Sequence, residues 1–195
     1  MKNQETIAVV LAGITLAFAG LSSERAVGQD PARVSNSGGM QVVIPDDSFS
    51  VNGKRLKLPA PAQEVIKFLG KPTRETKSRN NTILTWDELG IHAYLKPTRE
   101  TIIAVHFSLR KEAEAYSAKK VFAGKLTVSG AEVSQESTIE EINAKTKGKP
   151  FKRLEKYEAI MPNWWRAECP SGSLHVQTVK DSGEGIKYLS ICAGE

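Results

Sequence analysis

The chain has 195 residues, and its 27 Lys and Arg against 22 Asp and Glu give a formal net charge of +5. Hydrophobic residues make up 40% of the chain, charged residues 25%, and there are two Cys. These values are typical of a globular protein and exclude collagen-like, coiled-coil and fully disordered chains. They also exclude a cysteine-rich scaffold and a polytopic membrane protein.

Residues 1–28 have the layout of a secretory signal peptide. Lys2 supplies a short basic region, residues 7–19 are apolar or small, and small residues offer cleavage after Ala19 or after Gly28. The alternative is a transmembrane anchor, but this apolar run is shorter than the roughly 20 residues that cross a bilayer. We therefore predict an exported bacterial protein, periplasmic or secreted, with no transmembrane span after signal cleavage.

Residues 29–46 are predicted to form a flexible linker, because Pro, Ser, Asn and Gly dominate its first half. Near its end, residues 40–44 form a short apolar stretch. This stretch is a candidate for an extra strand at the edge of the domain.

The rest of the chain is predicted to consist of two similar modules in tandem, residues 47–120 and residues 121–195. Each copy opens with a dipeptide that favours the positive φ angles of a two-residue hairpin turn. Further matches follow in the same order along both copies. The matched residues include Asn52 and Gly53 with Ser129 and Gly130, Gly70 with Gly148, Trp86 with Trp164, and His92 with His175.

A short helix and several strands follow each hairpin. The first helix is predicted to begin near Ala60 or Pro61 and to stop at Gly70, and Ser137 with Glu140 gives capping-box spacing for the second. Strands are predicted at residues 83–86, 91–95, 102–109, 164–167, 174–179 and 186–191. The sequence thus predicts an α+β fold of two tandem similar modules, each a hairpin, a short helix and an antiparallel meander sheet.

Two motifs carry a resemblance to known families. Leu69 to Pro72 reads LGKP, and Trp86 to Ile91 reads WDELGI. With the duplicated layout, residues 47–193 resemble tandem β-lactamase-inhibitor-protein-like modules, and outer-membrane assembly lipoproteins use a related small module. The motifs also resemble an uncharacterised bacterial family of domains of unknown function. The resemblance implies a binding role and supplies no binding residues.

The sequence contains few features typical of an enzyme active site. HExxH, GxSxG, P-loop and CxxC motifs are absent from the sequence. His92 and His106 could share one sheet face, but a metal site needs three or four ligands. A Cys–His hydrolase would use Cys169 or Cys192 with His175, yet neither cysteine begins a predicted helix, where a thiolate would be stabilised. We predict a protein without catalytic residues, cofactor or metal.

The two cysteines are predicted to form a disulfide. Cys169 lies in a loop longer than its counterpart in the first copy, and Cys192 ends the last predicted strand. The longer loop could fold over the intervening strand and bring the two side chains to bonding distance. The alternative is two separate buried thiols.

Basic residues crowd the end of the first helix and the strand after it, and they favour an anionic partner such as an acidic protein, a polysaccharide or a lipid headgroup. The alternative is a solvated face. Nucleic acid is not expected, because no aromatic residues are interleaved with the basic ones. The cluster comprises Lys67, Lys71, Arg74, Lys77 and Arg79.

One tryptophan completes the predicted interaction surface. Neighbouring strand residues face opposite sides of a sheet, so one of Trp164 and Trp165 must leave the core, and Trp165 is assigned to the surface. The sequence therefore predicts an exported, non-enzymatic binding protein, with a protein–protein interaction or inhibitor-like role, whose partner is a protein or another anionic envelope component. The alternatives are a small secreted hydrolase or metal-dependent enzyme, or a structural envelope protein.

Overall fold

The computed structural model describes residues 39–45, 48–78, 81–96, 100–146, 150–154 and 160–194. The predicted signal peptide, most of the predicted linker and Arg79 lie outside these residues. Neither of the two helices in the described ranges is long and apolar enough to cross a membrane.

Fourteen strands and two helices follow one another along the described chain. The elements are β1 (Gln41–Ile44), β2 (Ser48–Val51), β3 (Lys54–Lys57), β4 (Ala60–Pro61), α1 (Ala62–Leu69), β5 (Arg74–Lys77), β6 (Thr82–Trp86), β7 (Ile91–Lys96), β8 (Thr101–Ser108), β9 (Lys125–Val128), β10 (Ala131–Val133), α2 (Ile139–Lys145), β11 (Lys152–Arg153), β12 (Trp164–Cys169), β13 (Gly172–Thr178) and β14 (Ile186–Ala193).

The predicted α+β class is wrong, because the fold is mostly β. Strands account for 49% of the structure and helix for 11%. The helices are only 8 and 7 residues long, so they do not form a layer that could cover a sheet. Two sheets are present instead, with strand orders β10-β9-β1-β2-β3 and β5-β6-β7-β8-β14-β13-β12-β11, and β4 pairs with β8 beside the second path.

Both hairpins of the five-stranded sheet have the predicted turns. Asn52 and Gly53 have φ angles of 49° and 79°, and Ser129 and Gly130 have 45° and 93°. Two consecutive positive φ angles define a type I′ turn, whose twist matches that of the flanking strands. The prediction of two-residue hairpins is therefore confirmed.

Strand β1 lies in the middle of the five-stranded sheet. It pairs in parallel with β9 and antiparallel with β2, and so joins the two hairpins. Val42 and Ile44 are fully buried. The prediction of an edge strand at the end of a flexible linker is wrong, because the apolar side chains of β1 fill the core between the hairpins.

The larger sheet consists of two antiparallel series that meet side by side. Strands β5 to β8 pair in chain order, β11 to β14 do the same, and β8 pairs antiparallel with β14. Both series contribute to one hydrophobic core, which the five-stranded sheet shares. Phe49 of the smaller sheet contacts Phe107 of the larger sheet edge to face, with ring centroids 6.4 Å apart.

The helices lie close to their predicted positions. Helix α1 buries Val65 and Leu69 and ends at Gly70, whose φ of 81° suits a residue without a side chain. Helix α2 begins with a capping box made by Thr138 and Glu141, one residue later than predicted.

Candidate functional site

A single row of cross-strand neighbours crosses the larger sheet on the face opposite the core, which we call the outer face. Each member pairs with the next across a strand boundary, so all the side chains point to the same side. We call this line the outer row. Its members, from β5 to β11, are Arg74, Thr85, His92, His106, Ser190, His175, Arg166 and Lys152.

The outer row is symmetric about the contact between β8 and β14. Counting outward from this contact, His106 corresponds to Ser190 and His92 corresponds to His175. The next strands place Thr85 opposite His92 and Arg166 opposite His175. His92 and His175 therefore occupy equivalent positions, as the aligned repeats predict.

A hydrogen-bonded chain runs through the middle of the outer row. The Nδ1 atom of His106 lies 2.9 Å from Ser190 Oγ, and its Nε2 atom lies 3.2 Å from Glu112 Oε1. Ser117 Oγ donates to Glu112 Oε2 at 3.0 Å. Burial opposes ionisation of Glu112, but the hydrogen bonds from His106 and Ser117 outweigh it and hold the pKa of this carboxyl below its usual value.

The ring of His92 is buried without polar partners. Its side chain is 0% exposed, and neither ring nitrogen has a hydrogen-bond partner among the described residues. It stacks on His106 with centroids 4.0 Å apart, and Tyr94 and Tyr116 meet it edge to face at 5.5 and 5.6 Å. Burial, followed by the charges of His106 and Arg74, lowers the pKa of His92 to about 2. His92 is therefore neutral at physiological pH.

Residues 112–120, which we call the strap, cover this half of the outer face. Arg74 donates to the carbonyls of Ala115 and Ser117, and Thr85 Oγ1 donates to the Tyr116 carbonyl at 3.0 Å. Asp87 also holds the strap, and we call Arg74, Thr85 and Asp87 together the strap's seat. The Asp87 carboxylate accepts from the Lys119 backbone N–H at 3.0 Å and from the Arg74 guanidinium at 3.1 to 3.2 Å. The hydrogen bonds from Arg74 lower the pKa of Asp87.

The predicted basic cluster does not form one surface. Arg74 is half-buried and engaged with Asp87 and the strap. Lys77 lies three residues further along the same strand, so it points to the opposite face of the sheet. Lys67 and Lys71 are exposed on and just after α1. The structure therefore separates Arg74 from the lysines with which it was grouped.

The assignment of Trp165 to the surface is wrong. Trp165 packs against the core, where its Nε1 donates to Thr178 Oγ1 at 3.2 Å and the Arg153 guanidinium lies 5.0 Å from its ring. Trp164 faces outward instead, with its ring edge to face with His175 at 5.3 Å. The error came from aligning Trp86, which is buried in the core, with Trp164, since strand pairing makes Ala167 its counterpart.

The predicted disulfide between Cys169 and Cys192 is absent. Their strands β12 and β14 are separated by β13, on which they pair with Gly172 and Ser173. The loop after Cys169 is a tight turn of two residues, too short to fold over β13. Cys169 packs on the core side, whereas Cys192 lies on the outer face, where burial raises the pKa of its thiol to about 11.

A cleft of about 250 Å³ lies at the other end of the outer row, beside β11. Arg166 Nε lies 2.8 Å from Glu168 Oε1, and Lys152 and Glu168 are exposed. Among the described residues that line this cleft, cationic groups therefore outnumber carboxylates. Its lining residues are Pro150, Lys152, Arg153, Leu154, Arg166 and Glu168.

The remaining histidine lies between the cleft and the centre of the sheet. His175 is half-buried, and its Nε2 lies 2.8 Å from Ser173 Oγ. Burial, followed by the charge of Arg166, lowers its pKa to about 4. Within the described residues, no three His, Cys, Asp or Glu side chains are placed to hold a metal ion.

Sequence reasoning missed the strap, Glu112 and the outward position of Trp164. The alternation of apolar and polar residues in the strands places His92, His106 and His175 away from the core, but it carries no information on the strap or on Glu112. It became informative only once the pairing of β8 with β14 set all three on one continuous face.

Comparisons with known proteins agree with the resemblance to an uncharacterised domain family. No curated protein matches the chain. A cysteine-rich secretory protein from Staphylococcus aureus subsp. aureus Mu50 has a similar crystal structure, with a TM-score of 0.42 and 10% identity over 69% of this chain and 44% of that chain. The present chain thus spans less than half of that relative's length.

The family model described as Domain of unknown function (DUF7738) matches residues 41–143, which is more than half of the chain. The matched region includes the strap and its seat but ends within α2, so it does not coincide with either predicted module. The chain belongs to the DUF7738 family of domains of unknown function.

Proposed function

We propose that this protein is an exported, non-enzymatic binding protein whose binding surface is the second half of the outer face. The observation that carries the proposal is the contrast between the two halves of one sheet. The strap covers His92, whereas Trp164, His175 and Arg166 are partly exposed. A partly exposed Trp beside an Arg is typical of protein interaction sites. The N-terminal signal-like sequence supports export.

The central hydrogen-bonded chain favours a structural role over catalysis. Ser190, His106 and Glu112 follow one another in the order of a hydrolase triad. However, Ser190 is only 7% exposed and lies within β14, which pairs with β8 on one side and β13 on the other. Backbone N–H groups next to Ser190 are therefore engaged in the sheet and are poorly placed to stabilise an oxyanion.

The charge of the exposed half supports an anionic partner. The cleft presents Lys152 and Arg166 against Glu168, while the Arg153 guanidinium lies over Trp165, and the whole chain carries a net charge of +5. Clustered cations attract an anionic partner and accelerate its association. A protein or another anionic component of the cell envelope fits this surface.

The test is affinity capture from the native envelope or secreted fraction with the immobilised mature protein. We expect the wild type to retain a partner that Arg166→Glu and Trp164→Ala release, and that elutes as salt rises, because exposed charges are screened beyond about 8 Å at physiological ionic strength. Lys54→Glu, an exposed charge change on β3, is the matched control. Hydrolysis of simple esters that is lost in Ser190→Ala would instead support the hydrolase alternative.

A further inference from the structure

We infer that the cleft beside β11 is the counterpart of the strap's seat and binds an irregular, acidic segment of a partner polypeptide. The inference rests on the proposed binding function and names the chemical class of the partner and the residues that recognise it. It follows from the symmetry of the outer row, which relates an occupied seat in the first half of the sheet to the cleft in the second.

The equivalence is positional and comes from strand pairing alone. Arg74 pairs with Thr85 at the β5 end of the outer row, and Lys152 pairs with Arg166 at the β11 end. Each pair lies at the same number of strands from the contact between β8 and β14. Two residues beyond Thr85, on the same face, lies Asp87, and two residues beyond Arg166 lies Glu168. Lys152, Arg166 and Glu168 all line the cleft.

The first-half seat recognises polypeptide main chain. Arg74 and Thr85 together donate to three consecutive carbonyls, those of residues 115, 116 and 117. Asp87 accepts a backbone N–H four residues after the first of these carbonyls. A cation and a second donor on neighbouring strands, with a carboxylate beyond them, therefore form a template for an irregular segment that crosses the sheet.

The second half keeps this pattern and changes its charge. Lys152 replaces Arg74 as the cation, Arg166 replaces Thr85 as the second donor, and Glu168 replaces Asp87 as the acceptor. The seat's formal charge rises from zero to +1, because Thr85 is neutral and Arg166 is cationic. A segment bound there is thus expected to carry carboxylate side chains. The strap itself carries such a side chain next to its seat, at Glu112, which contacts His106.

The carboxylate of Glu168 favours a peptide over a simple polyanion. A polysaccharide sulfate or a lipid phosphate would be attracted by Lys152 and Arg166 but repelled by Glu168, which is half-exposed at the same cleft. A polypeptide supplies both carbonyls for the two cations and N–H groups for the carboxylate. The cleft therefore matches the mixed donor and acceptor character of main chain.

The direct test titrates the full mature chain with a capped synthetic peptide that copies residues 111–121 and carries Lys119→Glu and Lys120→Glu. We expect chemical-shift changes at Lys152, Arg166 and Glu168, and at least a tenfold weaker affinity in Lys152→Glu. Lys54→Glu makes the same charge reversal on the other sheet and is expected to bind like the wild type. The peptide with the natural lysines should bind more weakly than the acidic one.

Several outcomes would overturn the inference. The inference fails if the peptide does not bind, or if its chemical-shift changes fall at the strap's seat instead of the cleft. It also fails if Lys152→Glu binds the peptide with the same affinity as the wild type. Equal competition by inorganic phosphate or by heparin would indicate an anion site without peptide recognition. If wild type and Lys152→Glu capture the same partner from the envelope fraction, the binding function stands and the cleft is not its site. If neither captures one, the proposed function itself fails.

Discussion

Replacing His92 by Phe should stabilise the protein at neutral pH, although His92 lies at the centre of the outer row. Both ring nitrogens of His92 are buried without hydrogen-bond partners. Leaving a buried polar group unsatisfied costs about 1–3 kcal/mol, and Phe keeps the ring that stacks on His106. We expect a gain of about 1–3 kcal/mol in the free energy of unfolding. His92→Leu, with a smaller side chain, separates this gain from any overpacking by Phe.

His92→Phe should also reduce the loss of unfolding free energy that occurs as the pH falls from 7 to 5. The pKa of His92 is about 2 in the folded state against 6.5 in the unfolded chain, so its contribution to stability is fully present above pH 6.5 and is lost as the pH falls toward 2. At pH 5 the unfolded state gains about 2 kcal/mol by protonating this side chain, whereas the folded state gains almost nothing. His175, with a folded pKa of about 4, adds a similar loss. The variant should therefore lose about half as much stability as the wild type between pH 7 and pH 5.

Urea unfolding followed by tryptophan fluorescence at both pH values measures the two effects. His175→Phe is the matched control. It removes a ring nitrogen that is bonded to Ser173, so at pH 7 it should be neutral or destabilising. Equal losses between pH 7 and pH 5 in the wild type and in His92→Phe, or a destabilised His92→Leu of the size of a core cavity, would refute the account of His92 as an unpaired neutral ring.

Three further predictions concern Gly90, the strap and the cysteines. Gly90→Ala should destabilise the fold by about 3 kcal/mol or more in urea unfolding, because the new Cβ would lie 2.2 Å from the Phe122 nitrogen at a φ of +69°. Gly53→Ala, at a φ of +79° with open space around it, should cost only about 1 kcal/mol. Arg74→Gln should speed amide exchange in the strap by about tenfold or more, because hydrogen bonds to charged groups contribute about 1.5–3 kcal/mol each; unchanged exchange would show that other contacts hold it. Thiol labelling of the unfolded, unreduced protein should modify both cysteines. If neither is modified, the two cysteines form a disulfide and the structural assignment of free thiols is wrong.

Local patterns predicted the pieces of this fold well. The Asn-Gly and Ser-Gly dipeptides fixed both hairpins, because so few residues accept two positive φ angles in succession. Gly70 ends α1 because its positive φ angle favours a residue without a side chain. Six strands of the larger sheet, β6 to β8 and β12 to β14, also lie within two residues of their predicted bounds, because alternation of apolar and polar residues is a property of each segment by itself. No bounds were predicted for β4, β5 and β11.

Contacts between distant segments could not be predicted in the same way. The central position of β1 depends on two hairpins, β2–β3 and β9–β10, that more than 60 residues of chain separate. The face of each tryptophan depends on register, and a shift of one residue moves a side chain to the other face. The sequence alone therefore predicts an outward Trp165, whereas its pairing with Val176 turns it to the core. The strap has neither periodicity nor a motif, so only its contacts reveal its role.

The two halves of the outer face differ in how much of their surface the chain itself covers. In the first half, the strap removes His92 from water and its main chain satisfies Arg74, Thr85 and Asp87 within the same molecule. In the second half, Trp164 and His175 keep part of their surface exposed. Covering apolar surface contributes about 25 cal/mol for each Å² removed from water. A segment seated in the cleft and over Trp164 would gain this contribution only in the folded protein. Its binding should therefore raise the unfolding temperature with ligand concentration, as mass action requires.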